Sequence, residues 1–269
     1  MGDEKILKNI HAMMIDIDGT LFSGSQVLPG MAEFLSFLND QSIKFLILTN
    51  NSTKTPDFYL NKIRSNGGEL KIQNILTCAS VTADYIKANY SGRKVYVIGE
   101  TGILTALEQE GFTILEDFSE QADFVVVGGD HFLTYEKLKF GCLQIRNGAK
   151  LIGTNPDVVS PSEEGLIPEC GTNIAALEAS SGKKAIVIGK PNRMMFDWGL
   201  KQIGMAASET AMLGDRLETD ILGGNQAGLH TILVETGVDT FESTLEKNIH
   251  PDLVVKDLFD LITIWKSQI

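Results

Sequence analysis

Short apolar runs alternate along this chain with stretches whose apolar residues recur every three or four positions. Met13-Met14-Ile15 is the first run and stops at Asp16. Ile43–Leu48, Val95–Ile98, Phe124–Val127, Leu151-Ile152, Ala185–Ile188, Thr210–Leu213 and His230–Val234 repeat the theme. Unalternated runs of this kind predict strands buried on both faces, as in a parallel sheet. Between them the spacing predicts helices. Met31–Asp40 places Met31, Phe34, Leu35 and Leu38 on one helical face. Thr55-Pro56 opens a further helix, and Gly67-Gly68 ends it. Ser80–Arg93, Thr101–Gln109, Tyr135–Asn147, Thr172–Ala179, Met194–Ile203, Glu218–Ala227 and Asp257–Lys266 carry the same signal, and Ser23–Gly30 reads as a loop. Strand–helix alternation implies an α/β fold with right-handed crossovers.

The alternation starts again near Val95. We therefore expect a second α/β unit over 80–184, inserted into a core made of 1–79 and 185–269. The polar stretch Ser180–Lys184 suits a joint. The alternative is one continuous doubly wound sheet.

Composition narrows the partners. Thirty-five acidic side chains face 23 Lys and Arg, a net charge of −12 over 269 residues. Such a surface repels polyanions, so neither nucleic acid nor an anionic membrane is expected as a partner. A small anionic substrate is compatible if the site holds its own cations. The opening residues carry acids without a long apolar core, which is not the pattern of a signal peptide. No apolar run approaches the ~20 residues of a membrane span. Cys78, Cys142 and Cys170 lie far apart with no CxxC pair, so a reducing cytoplasm is the expected home.

Four strand ends carry chemistry: Asp16/Asp18, Thr49/Asn50, Lys190 and Asp215/Asp220. In an open parallel sheet, ligands bind beyond the carboxyl ends of the strands, so these four can meet. Singly, each has a plain structural reading. Thr49 suits a turn, Gly189-Lys190-Pro191 a solvated turn, and Gly214-Asp215 a helix cap. Together they fit a Mg²⁺ site acting on a phosphate monoester. Asp16, a backbone carbonyl at Asp18 and Asp215 supply oxygen ligands, with Asp220 orienting a metal-bound water. Asp16 attacks phosphorus, and Asp18 protonates the leaving oxygen and then activates water. Thr49 and Asn50 hold phosphoryl oxygens, and Lys190 neutralises charge.

These residues resemble the four motifs of the haloacid dehalogenase superfamily, in order: Asp16–Thr20 (DIDGT), Thr49, Lys190 and Gly214–Asp220 (GDRLETD). Thr49–Ser52, Gly153–Asp157, Glu163–Pro168 and Gly189–Asn192 are similar to its NagD-like, 4-nitrophenylphosphatase branch. The resemblance implies a Rossmann-like core, an inserted mobile α/β cap, Mg²⁺ dependence and hydrolysis of small phosphorylated metabolites such as sugar phosphates or nucleoside monophosphates. Asn155 and Asp157 are candidate cap contacts to the leaving group, with a structural turn at Pro156 as the alternative. Glu169 and Cys170 stand where relatives carry small residues, and Cys170 reads as a packed thiol. His131 reads as an exposed loop histidine, with a cleft-lining role as the alternative. A homodimer is left open. The rival readings are a dehalogenase, a phosphotransferase of the same superfamily and a receiver-like phosphoryl-binding module. Asp18 weighs against the dehalogenase, which does not need it, and against the receiver, which gains nothing from faster hydrolysis.

Overall fold

The computed structural model describes residues 4–162 and 164–268. Glu163 of the Glu163–Pro168 stretch, like the first three residues, therefore lies outside the described residues. The chain divides into two compact units. One takes the chain up to Thr49, Asp57–Leu76 and everything from Lys190 onward. The other takes Asn50–Pro56 and Thr77–Gly189. The sequence expectation set its joins at 79/80 and 184/185, and it left Asn50–Pro56 with the first unit.

The first unit is built on a six-stranded sheet. Its order is Leu253–Val255, His230–Val234, Thr210–Gly214, Ala12–Ile15, Lys44–Thr49 and Ile75–Thr77. Ala12–Ile15 runs parallel to both neighbours, with Met14 opposite Leu46 on one side and Met212 on the other. All four of its residues are buried, which is why an unalternated AMMI sequence suits it. Helices cover the sheet through their apolar stripes. Met31–Asp40 buries Met31, Phe34, Leu35, Phe37 and Leu38. Leu258–Lys266 buries Leu258, Leu261, Ile262 and Trp265, and Trp265 meets Phe37 edge-on at 5.6 Å between ring centroids. Phe22–Ser23 and Gln26–Val27 form a small antiparallel hairpin that overlaps the Ser23–Gly30 stretch expected to be a loop.

The second unit holds a five-stranded parallel sheet in the order Ile186–Val187, Lys150–Gly153, Phe124–Val127, Lys94–Ile98 and Thr113–Leu115. Phe124–Val127 is fully buried at its centre. Tyr135–Arg146 and Cys170–Ser181 pack on it through Ile145, Ile174 and Leu177. An antiparallel hairpin, Val159–Ser162 with Gly165–Pro168, leads into the second of these helices.

Candidate active site

Within the first unit, the connections from Ala12–Ile15 lead to Lys44–Thr49 on one side, while Thr210–Gly214 flanks it on the other. That reversal leaves a crevice beyond the carboxyl ends of Ala12–Ile15 and Thr210–Gly214. Asp16 and Asp215 are the next residues on those two strands.

Lys190 joins the acids. Its ammonium is 2% exposed and donates to Asp16 Oδ1 at 2.5 Å, to Asp220 Oδ1 at 2.6 Å and to the Leu48 carbonyl at 3.3 Å. Asp16, Asp215 and Asp220 each offer an oxygen, and the three oxygens lie within 4.8 Å of one another. Two unit charges 4 Å apart repel by about 4 kcal/mol at an effective dielectric of about 20. One lysine cannot offset three such carboxylates. The titrations reflect that imbalance. Burial raises the Asp16 carboxyl well above its ordinary value, Lys190 opposes the shift, and Asp220, Asp215 and Asp18 add to it. Burial, followed by the Asp220 charge, pushes Asp215 up to about 7, against the pull of the Val238 N–H. For Lys190, burial alone would lower the ammonium, but Asp16 and Asp220 more than reverse it and hold the group protonated.

Asp215 is seated by backbone. Its Oδ2 accepts from the Val238 N–H at 2.8 Å. A Cβ on Gly19 would lie 2.1 Å from that oxygen, and one on Gly237 only 1.9 Å. Gly19 also has φ +87, a left-handed conformation that favours glycine. Its carbonyl accepts from Thr236 Oγ1 at 2.6 Å. Among the described residues, Asp215 Oδ1 is buried and has no hydrogen-bond partner. Buried carboxylate oxygens are normally paired, so an unpaired one inside an acidic trio fits a bound cation. Three carboxylates and no sulfur or imidazole select a hard divalent ion. Among the described residues, Asp16, Asp215 and Asp220 are the acidic side chains grouped closely enough to hold it or to orient its water ligands.

Asp220 gets its aim from local backbone. The expected Glu218–Ala227 helix opens with a wider turn over Leu217–Ile221, in which both Asp220 N–H and Ile221 N–H reach the Arg216 carbonyl. Such π-bulges are frequent at functional sites. Gly214 leaves room for Asp220, since a Cβ there would meet its Cγ at 2.3 Å.

Asp18 stands apart from the trio, with its side chain exposed. The surrounding protein raises its carboxyl above the ordinary range, while Lys62 and Lys190 pull it back. Thr49 ends its strand buried, 2% exposed. The other sequence-predicted residues belong to the second unit and bond to one another there. Asn50 Nδ2 donates to Asp157 Oδ2 at 2.9 Å, and Asn155 Nδ2 donates to the Asn50 carbonyl at 2.7 Å. Asn155 Oδ1 accepts from the Asp157 N–H, which closes the turn at Pro156. Cys170 is buried, and burial pushes its thiol up to about 11. His131 is exposed and bonds Glu100 Oε1 through both Nδ1 (2.5 Å) and its backbone N–H (2.9 Å). Glu169 is half-buried, and that burial raises its carboxyl, with His131 opposing.

Sequence reasoning missed Gly19 as a seat for Asp215, and with it Thr236, Gly237 and Val238. The signal was available in part: Glu235-Thr236-Gly237 is a fifth polar strand end, after His230–Val234.

Comparison with known proteins gives a consistent answer. Residues 13–113 match the haloacid dehalogenase-like hydrolase model, and residues 187–261 match a second model described as HAD-hydrolase-like. The chain is 42% identical over 252 residues to an acid sugar phosphatase of Staphylococcus epidermidis, covering 94% of this chain and 96% of the relative. The 4-nitrophenylphosphatase of Thermotoga maritima superposes with a TM-score of 0.90 at 36% identity, covering 96% of this chain and 98% of that one. NagD from E. coli K-12 superposes with a TM-score of 0.85 at 33% identity, covering 93% and 97%. With its acids gathered at the crevice where this fold binds ligands, the chain belongs to the haloacid dehalogenase-like hydrolases, as a phosphatase of that family.

Proposed function

We propose that the protein hydrolyses a small phosphate monoester, a sugar phosphate foremost, through an aspartyl phosphate on Asp16 and with Mg²⁺. The observation that carries this reading is the unpaired, buried Asp215 Oδ1 beside a carboxylate, Asp16, already held by Lys190. Asp16, the Asp18 carbonyl and Asp215 would hold Mg²⁺, with Asp220 placed to orient a water beside it, and the ion would supply neutralising charge for the incoming phosphate.

The chain's own groups then divide the work. Lys190 fixes Asp16 through Oδ1 and adds positive charge at the reacting phosphoryl group. A carboxylate oxygen of Asp16 forms a bond to phosphorus as the bond to the leaving oxygen breaks. Asp18, whose carboxyl its surroundings raise above the ordinary value, gives its proton to that leaving oxygen. Asp18 next takes a proton from water, whose oxygen bonds phosphorus as the bond from Asp16 oxygen to phosphorus breaks and inorganic phosphate leaves. Thr49 and Asn50 are assigned to the phosphoryl oxygens, and Asn155 and Asp157 to the leaving group. We read the unit that holds Asp16 as the catalytic core and the other as the inserted cap. The sugar preference rests on the name of the Staphylococcus relative.

The test is turnover of 4-nitrophenyl phosphate and a panel of sugar phosphates, with Mg²⁺ and with EDTA. Asp16→Asn should abolish turnover, and EDTA should silence the wild type. An Asp16→Asn protein that keeps most of its rate with Mg²⁺ would remove the nucleophile from the scheme.

A further inference from the structure

The turn that carries Asp16 and Asp18 continues into an unusual neighbour. Phe22–Ser23 and Gln26–Val27 make a two-stranded hairpin that belongs to neither large sheet. Ser23 to Val27 are five consecutive exposed residues. A hairpin of this size is marginal on its own in water. Yet it is joined to the site turn: the Gly19 N–H donates to the Phe22 carbonyl at 2.6 Å, and Asp18 pairs with Phe22 in an isolated bridge. These two contacts join the base of the hairpin to the backbone beside Asp18.

Lys62 meets the hairpin at two points. It lies on the Pro56–Ser65 helix, in the same unit. Its ammonium donates to the Gly24 carbonyl at the hairpin tip, 2.8 Å away. The same ammonium stands 4.1 Å from the centroid of the buried Phe22 ring at the hairpin base. One cation thus ties both the exposed tip and the buried base of the hairpin to a helix anchored in the core by Tyr59, Leu60 and Ile63. Asp18 and Lys62 also act on each other electrostatically.

We propose that Lys62 is a positioning residue for Asp18: by pinning the Phe22–Val27 hairpin to the Pro56–Ser65 helix, it fixes the turn from which Asp18 projects. The proposal rests on the phosphatase reading above. Lys62 is not assigned to the substrate or to the metal. Its removal should therefore slow the chemical step and spare ground-state binding, because a misplaced acid is felt in the transition state.

The experiment uses the full chain with Mg²⁺ and 4-nitrophenyl phosphate, comparing wild type, Lys62→Met and Lys62→Arg. Lys62→Met should lower kcat by about 10- to 100-fold, the range expected for a small misplacement, with KM changed less than about threefold. Lys62→Arg, which keeps a cationic donor on a long stem, should recover most of kcat. Hydrogen exchange should quicken at the amides of residues 22–27 in Lys62→Met and stay as in wild type across Ala12–Ile15. A Lys62→Met enzyme within about twofold of wild-type kcat would overturn the proposal. So would a rise in KM at constant kcat, a failed arginine rescue, or faster exchange through the whole sheet. A wild type without phosphatase activity would sink the phosphatase reading instead, and hairpin exchange would still decide for or against the pin.

Discussion

At the scale of single residues, the site depends as much on missing side chains as on present ones. Asp215 can offer an unpaired oxygen to a cation because Gly19 and Gly237 leave its other oxygen room to meet the Val238 N–H. Gly237→Ala would put a carbon 1.9 Å from Asp215 Oδ2, far inside contact distance. The carboxylate has to turn or the Thr236–Val238 segment has to retreat, and either change spoils a ligand's orientation. Losing the support of a metal ligand commonly costs ten- to a hundredfold in metal affinity or activity. We expect Gly237→Ala to need at least about tenfold more Mg²⁺ for half-maximal activity, with its folded circular-dichroism spectrum retained. A Mg²⁺ titration checks this, and an unchanged requirement would show that the seat is not needed. The strand-end positions of Asp16, Lys190 and Asp215, which fold to one place, were legible in the sequence because a polar group ending an apolar run is a local pattern. The glycine seat was not, because its effect exists only once residues 19, 215 and 237 are folded together.

At the scale of elements, legibility followed length and contrast. Met31–Asp40 shows its buried face through Met31, Phe34, Leu35 and Leu38, and the helix bounds were readable from that stripe. Leu253–Val255, Thr113–Leu115 and Ile75–Thr77 are three residues each, too short for any period to register. Phe241–Lys247 buries only Thr244, so it has no apolar stripe to read. The same logic separates elements that hold the fold from elements that hold the site. Leu258–Lys266 supplies none of the site residues but buries Trp265 against Phe37. Truncating a buried Trp costs about 3–5 kcal/mol in lost burial and cavity formation. Trp265→Ala should lose about that much in urea denaturation, while the kcat of the folded fraction stays within about twofold of wild type. A fall in kcat of tenfold or more in the folded protein would mean that this helix reaches the chemistry by a route its contacts do not suggest.

At the scale of the whole molecule, the site draws on stability that the rest of the fold must provide. The chain already carries a net charge of −12, and its buried acidic trio concentrates that excess around a single lysine. Without a cation, the folded chain relieves the repulsion by holding protons: Asp16 is raised well above its ordinary value, and Asp215 rises to about 7. An unfolded chain releases those protons near pH 4. For a carboxyl whose folded value is raised, ν_N exceeds ν_U between the two values, so stability falls as pH rises. The contribution of Asp215 is therefore fully present below about pH 4 and lost as pH climbs through about 7. Ordinary carboxylates are already ionised in both states above pH 6, so they add little slope there. We expect the EDTA-treated protein to melt at a lower temperature at pH 8 than at pH 6. Mg²⁺ should close most of that gap at pH 8, since a bound cation replaces the proton and stabilises the state that binds it. Asp215→Asn, neutral at both pH values, should weaken the dependence in EDTA and lose the Mg²⁺ response. Calorimetric melting of the two proteins at both pH values checks this. A wild type whose melting temperature in EDTA does not fall between pH 6 and pH 8 would show that the trio is not under charge stress and that no cation is needed at Asp215 to relieve it.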